Sequence, residues 1–214
     1  MSVRIALAAA VITFAATPAL AFQEAPAAVV EAPVAAAPVA EAPAAVVEAP
    51  AAAEAASGAY KTPILITSGG QSADYQMIAT VMGKKGMEYK MDGLATEKDL
   101  EGINTLIVVV GGSSKGLGAA GVDADGELAR LTGLLDAAKA KGISVIVMHT
   151  GGAARRGELS DKFITPIFSA ATEAVILTAG DTDGLMKGIC EQNNIPFTNI
   201  EKIAEVGTVL PSLF

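Results

Sequence analysis

Four short runs of apolar, mostly β-branched residues constrain this chain more than any other feature. They are Pro63–Thr67 (PILIT), Thr105–Val110 (TLIVVV), Ile143–His149 (ISVIVMH) and Ala174–Thr178 (AVILT). Unbroken runs of this length suit strands covered on both faces, as in a parallel sheet. Met87–Met91 (MEYKM) alternates instead and suits a half-exposed edge strand. Pro196–Ile200 reads as a further edge strand, because a proline can open a strand only where no ladder partner is lost.

Helical patterns fill the gaps. Asp74 is placed to cap a helix running to about Lys84, and Asp123 or Asp125 to cap one ending near Lys141, with Gly142 stopping it. Ser160 or Glu158 starts the next, and Asp181 or Asp183 the one through Cys190. The order βαβαβαβα argues a three-layer, doubly wound α/β domain with a mainly parallel sheet and right-handed crossovers, flavodoxin-like or Rossmann-like. A weak second strand at the edge favours the order 2-1-3-4-5. The sheet then reverses direction between its first and third strands, and such folds bind ligands in the crevice at that reversal.

Three loops meet there: Ser68–Asp74, Gly111–Asp123 and Thr150–Gly157. The second, GGSSKGLGAAG, is read as a glycine-rich loop whose bare backbone N–H groups face whatever sits above the strand end. Together with the strand-end His149, the rim carries Ser68, Gln71, Ser72, Asp74, Gly111, Gly112, Ser113, Ser114, Lys115, Thr150, Arg155 and Arg156. Lys115, His149 and the arginine pair can bear positive charge, and backbone amides and helix starts favour a nearby anion. A carboxylate, phosphate or similar small anion is the expected guest. The plainer reading is that the glycines turn the chain and that Arg155 and Arg156 pair with Glu158 or Asp161 to tie down a loop.

Named motifs do not fit. Gly116-Leu117-Gly118-Ala119-Ala120-Gly121 matches G-x-G-x-x-G but starts six residues past Val110, follows the third strand, and has no acidic strand end some twenty residues on. The phosphate-binding Walker pattern fails because Lys115 precedes Gly116. Ser113 or Ser114 with His149 and Asp181 could form a nucleophilic triad, but the elbow G-x-S-x-G is absent. His149, the only histidine, reads first as a satisfied strand-end residue and second as an acid or base. One histidine without a carboxylate or thiol cluster builds no metal site, and no cofactor is expected. Cys190, the lone cysteine, reads as a small buried hydrophobe.

The N-terminal quarter differs in kind. Residues Met1–Ala21 read as a secretory signal: Arg4, an apolar stretch Ile5–Ala16 too short to span a bilayer comfortably, and an A-x-A site ending at Ala21. No cysteine follows for a lipid anchor; a retained membrane anchor is the alternative. Residues Phe22–Ala59 are nearly all Ala, Pro, Val and Glu, with EAPAAVVEAP at Glu24–Pro33 repeated at Glu41–Pro50. Proline recurs too often for helix and the side chains are too small for a core. Fully extended, at ~3.1 Å per residue, the segment would reach on the order of 100 Å, a spacer between membrane or partner and domain. A tolerated low-complexity tail is the plainer reading.

Tyr60–Phe214 is then the globular unit, roughly 155 residues, able to bury ~70% of its unfolded surface. It holds 18 Asp and Glu against 14 Lys and Arg, with no tryptophan and no basic stripe, which argues against nucleic acid as a partner. The segments TPILITSGGQSAD (Thr62–Asp74), LIVVVGGSSKGLGAAG (Leu106–Gly121) and MHTGGAARRGELSDKF (Met148–Phe163), with EQNNIPFT (Glu191–Thr198), resemble a family of bacterial exported proteins known as a domain of unknown function. The resemblance implies a secreted, single Rossmann-like domain in the periplasm or another extracytoplasmic compartment, and carries over no activity.

Three functional classes follow. The leading one is a non-catalytic binding domain for a small anion or for an envelope transporter, through the rim. The second is a hydrolase or transferase using Ser113 or Ser114 with His149. The third is a protein-interaction domain without a small-molecule site, with a shallow rim and an apolar patch elsewhere.

Overall fold

The computed structural model describes residues 58–214. The expected signal segment and all but the last two residues of the spacer lie outside the described residues.

Six strands form one parallel sheet in the order β2-β1-β3-β4-β5-β6. They are β1 (Ile64–Gly69), β2 (Lys90–Met91), β3 (Thr105–Val110), β4 (Ser144–His149), β5 (Glu173–Leu177) and β6 (Phe197–Ile200). The expected order 2-1-3-4-5 is present, extended by β6 at the far edge. β3 is central, paired in register with β1 (Ile66 opposite Ile107) and β4 (Ile107 opposite Ile146). Successive residues point to opposite faces, so each buried strand feeds two cores. One face gives Leu65, Val108 and Val147 to helices α3 (Ala124–Ala140), α4 (Glu158–Ser169) and α5 (Leu185–Asn193). The other gives Ile66, Val109 and Met148 to α1 (Asp74–Lys84) and α6 (Val206–Leu213), the latter a C-terminal helix that the hydrophobic pattern did not reveal. Two covered faces explain why these strands read as continuous apolar runs.

Several local expectations are corrected. The β2 strand is two residues long, not five. It pairs only at Leu65–Lys90 and Ile66–Met91, while the half-buried Met87 and Tyr89 pack down onto the α1/α6 core. The segment read as one loop after β3 is mostly a short helix, α2 (Ser114–Ala120). Ser113 caps it, its Oγ accepting from the Gly116 N–H at 3.1 Å, Leu117 anchors it, and Gly121 ends it at φ 69°. Its glycines permit close approach: a Cβ on Gly116 would lie 1.8 Å from the Gln71 carbonyl oxygen. Low helix propensity hid an element that capping and one buried leucine hold together. Asp123 caps α3 as expected, accepting from Gly126 at 2.7 Å. Asp74, by contrast, is the first residue of α1 rather than its cap, and its carboxylate is used elsewhere.

Candidate functional site at the carboxyl end of the sheet

The sheet reverses between β1 and β3, and the expected loops converge there. The β1–α1 turn is braced from within. Buried Ser68 donates from Oγ to the Ser72 carbonyl at 3.2 Å, and Ser72 Oγ accepts from the Asp74 N–H at 3.4 Å. Gly70 sits at φ 105° against Gly111 and Phe163, where a Cβ would come within 2.8 Å of each. Gln71 occupies the left-handed region at φ 60°, a conformation costing about 1–2 kcal/mol for a side chain with a Cβ. Its amide offsets that cost by donating to the Gly93 carbonyl at 2.9 Å and to Glu127 at 3.0 Å.

Glu127 and Arg130 form the centre of this bracing, and neither was singled out from the sequence. Glu127 is fully buried on α3 and takes the Gly70 N–H, the Gln71 amide and two Arg130 nitrogens. Arg130 reaches on to the Ala95 and Ser68 carbonyls, both at 2.7 Å. Every hydrogen bond of a buried pair must be satisfied for it to be tolerated, and here the surrounding turns supply them. The signal was present: residues 127, 131, 134 and 138 share one helix face, and the first of them is a charge with an arginine three residues on.

The rim residues divide into those already occupied and those that are not. The strand-end amides expected to be bare are in use. Gly111 donates to the Gly69 carbonyl at 2.8 Å, Gly112 to Ser160 Oγ at 3.0 Å, and Ser113 to the Gly70 carbonyl at 2.9 Å. Ser160 therefore serves β3 rather than starting α4. Arg156 is likewise spent. Its guanidinium pairs with Asp161 and Asp183, each at 2.8 Å, and donates to the Gly180 carbonyl at 2.7 Å. The two carboxylates push its already high pKa further up. Asp183, bonded by that guanidinium, is held well below the usual carboxylate range.

His149 is fully buried, with Nδ1 3.1 Å from the Val110 carbonyl and Nε2 3.3 Å from the Gly152 carbonyl. Burial, reinforced by the positive charge of Arg156, holds it below the ordinary imidazole pKa, against the two carbonyls. Its nitrogens face backbone oxygens, not Ser113 or Ser114. The alternative pairing of Ser113 or Ser114 with His149 is therefore not assembled, and His149 is a satisfied strand-end residue, the first of its two readings. The ring fits because residue 180 is glycine: a Cβ there would lie 2.5 Å from it.

Arg155 is different. Its Nε donates to Asp74 Oδ2 at 3.2 Å, and its stem lies across the backbone of Gly111 and Gly151, where a Cβ would come within 3.3 and 2.0 Å of it. Neither Nη has a hydrogen-bond partner among the described residues, and the side chain is about one-third exposed. Lys115 and Ser114, on the exposed first turn of α2, make no side-chain hydrogen bond or ion pair among the described residues. Thr150, fully buried after β4, has a hydroxyl without a partner. Gly111 links the two groups: it touches Arg155 and lies four residues before Lys115, so both charges belong to this end of the sheet. Among the described residues no cluster of three His, Cys, Asp or Glu could hold a metal, and no helix is long and apolar enough to cross a membrane. Surface depressions of about 430 to 530 Å³ open elsewhere, the 530 Å³ one between α3 and α4 at the amino end of the sheet beside Leu135, Ile143 and Pro166.

A parallel, doubly wound sheet with its polar residues gathered at the switch point defines the class: a three-layer α/β domain of flavodoxin-like strand order. The chain belongs to the family of the domain of unknown function DUF6305, whose model matches residues 61–214. No curated protein matches the chain significantly. Among solved structures it is similar to a GDSL-like lipase from Bacteroides thetaiotaomicron VPI-5482 (14% identity, 64% of this chain and 66% of that one, TM-score 0.30). It is also similar to an acylhydrolase described as putative from Bacteroides fragilis NCTC 9343 (13%, 64% and 65%, TM-score 0.31). A third is the psychrotrophic esterase EstA from Pseudoalteromonas sp. (13%, 64% and 76%, TM-score 0.28). The chain thus spans less than two thirds of the first two, and at TM-scores near 0.3 these likenesses say nothing about its chemistry.

Proposed function

We propose that the protein is an exported binding module whose rim at the carboxyl ends of β1, β3 and β4 takes a small oxyanion, a carboxylate or a phosphate, on Arg155. The observation that carries this reading is the unequal state of three arginines. Arg130 and Arg156 are closed off by protein acceptors, whereas Arg155 is held by one bond from Nε and its Nη groups have no partner among the described residues. A guanidinium oriented from behind and open in front is suited to bidentate recognition of a planar carboxylate or a phosphate. Asp74 positions it, and the bare backbone of Gly111 and Gly151 lets it lie flat against the strand ends. Lys115 and the Ser114 hydroxyl supply further donors from α2. The N-terminal sequence supports export, and an envelope transporter docking on the same rim is the alternative occupant.

The test is calorimetry on the full chain with inorganic phosphate, acetate and a dicarboxylate series as probes. One of these binds the native protein, and Arg155→Ala weakens it by roughly 10- to 100-fold, the scale of a charge-assisted hydrogen bond of about 1.5–3 kcal/mol. Lys115→Ala has a smaller effect that shrinks with added salt. Equal affinity in Arg155→Ala and the native protein would overturn the assignment.

A further inference from the structure

Glu173 is a buried acid with no part in the rim. It opens β5 at the amino end of the sheet, is 2% exposed, and by strand alternation shares a face with Val175 and Leu177. Oε1 has no hydrogen-bond partner among the described residues. Oε2 accepts from the Tyr60 hydroxyl at 3.3 Å, and that hydroxyl also lies 3.5 Å from the Thr172 carbonyl. Tyr60 is where the chain enters the domain. Its N–H donates to the Leu213 carbonyl at 3.0 Å, the Gly58 N–H donates to the Ser212 carbonyl at 3.2 Å, and its ring rests against Phe214, centroids 6.2 Å apart. One carboxyl group therefore stands behind the contact that joins the first described residues to the last helix.

We propose that Glu173 is a pH-sensitive latch: protonated, it holds Tyr60 and the segment before it against α6; ionised, it releases them. The groups that face it support this. From the entering segment comes Tyr60, whose phenol is pushed up to about 12 by burial and by the neighbouring acid. Cys190 of α5, whose thiol burial pushes up to about 12, belongs to the core on the opposite face of the sheet with Ala174 and Ile176, so it brings no counter-charge to Glu173. Glu173 makes no ion pair among the described residues. Burial without a counter-charge raises its pKa to about 7. An ionised carboxylate there needs water. The partly buried Tyr60 is the side chain bonded to it, so its displacement is the shortest route to hydration.

Hydrogen exchange on the full chain, corrected for the chemical rate at each pH, tests the latch at the Gly58 and Tyr60 amides. Between pH 5.5 and 8.5 the native protein loses protection there by about tenfold or more. Glu173→Gln keeps the same protection at both. Equal protection of the native protein at the two pH values, or loss in Glu173→Gln matching the native loss, would refute the proposal. A carboxyl-carbon NMR titration gives an independent reading should the glutamine variant not fold. The Tyr60 hydrogen bond favours the ionised form, so Tyr60→Phe moves the Glu173 midpoint upward. An unmoved midpoint counts against the latch.

Discussion

At the carboxyl end of the sheet Glu127 lies fully buried against Arg130, and every oxygen and nitrogen of the pair is used. At the amino end Glu173 lies almost as deeply buried, and among the described residues only the Tyr60 hydroxyl bonds its carboxyl group. The same side chain at similar depth therefore has opposite chemistry. Glu127, paired with Arg130, braces the β1–α1 turn and the segment after β2; Glu173 is a group whose charge the fold resists. Burial sets the cost of a charge, and the partner decides whether the group keeps it.

The strongest way to break this contrast is to remove the paired carboxylate. Glu127→Gln leaves the Arg130 guanidinium partly buried without its counter-charge, and the Gly70 N–H loses a charged acceptor. The expected loss is about 3–5 kcal/mol of unfolding free energy in urea at neutral pH. A loss below about 1 kcal/mol would mean that the pair is not what braces the β1–α1 turn.

Glu173→Gln has the opposite sign above neutrality. A carboxyl group with an ordinary pKa of 4.5 that burial raises to about 7 in the folded protein binds its proton more tightly when folded. Its contribution is fully present below about pH 4.5, declines as pH rises, and is gone above about 7. At 1.36 kcal/mol per unit, that is a fall of about 3 kcal/mol. The glutamine variant lacks the fall, so its stability relative to the native protein rises by that amount between pH 4.5 and 8. A native-to-variant difference independent of pH would show that Glu173 is ionised throughout.

Gly180→Ala probes the second neutralised group at the carboxyl end. The new methyl would meet the His149 ring at 2.5 Å, in a core with no slack beside β4. Overpacking of this kind costs about 1–3 kcal/mol. Moving the ring also disturbs its contacts with Val110 and Gly152, and so changes its titration. Alanine at Gly118 or Gly133, where a Cβ meets nothing within 4 Å, serves as the control.

The contrast between the two ends matches what the sequence made legible. The sheet could be read because strands covered on both faces leave uninterrupted apolar runs, and the alternation in Met87–Met91 marked β2 as an edge. Strand order alone assigned Asp74, Lys115 and Arg155 to one end, and the Asp74–Arg155 contact lies there. What could not be read is which polar groups are already spent. Arg156 is saturated by Asp183, 27 residues away, and the Gly112 N–H by Ser160, 48 residues away. Such partners depend on how loops meet, which hydrophobic periodicity does not encode. Glu173 was hidden for a similar reason: an acid at the start of a strand looks solvated until α6 and Tyr60 close over it.

The smallest effect is the most discriminating. His149 is held below its ordinary value, so the unfolded chain binds a proton that the folded chain refuses. Its contribution to stability is present above about pH 6.5 and lost as pH falls below that. Glu173 pulls the other way over an overlapping window, from about 4.5 to 7. In the native protein the two slopes oppose one another over their overlap, and the stability profile there is flatter than either group alone would give. His149→Gln exposes the Glu173 limb, and stability then falls as pH rises. Glu173→Gln exposes the His149 limb, and stability then rises with pH. Thermal unfolding of the native protein and both single variants at half-unit steps from pH 4.5 to 8 separates the two. Parallel profiles in all three would mean that neither end of the sheet responds to pH through these residues.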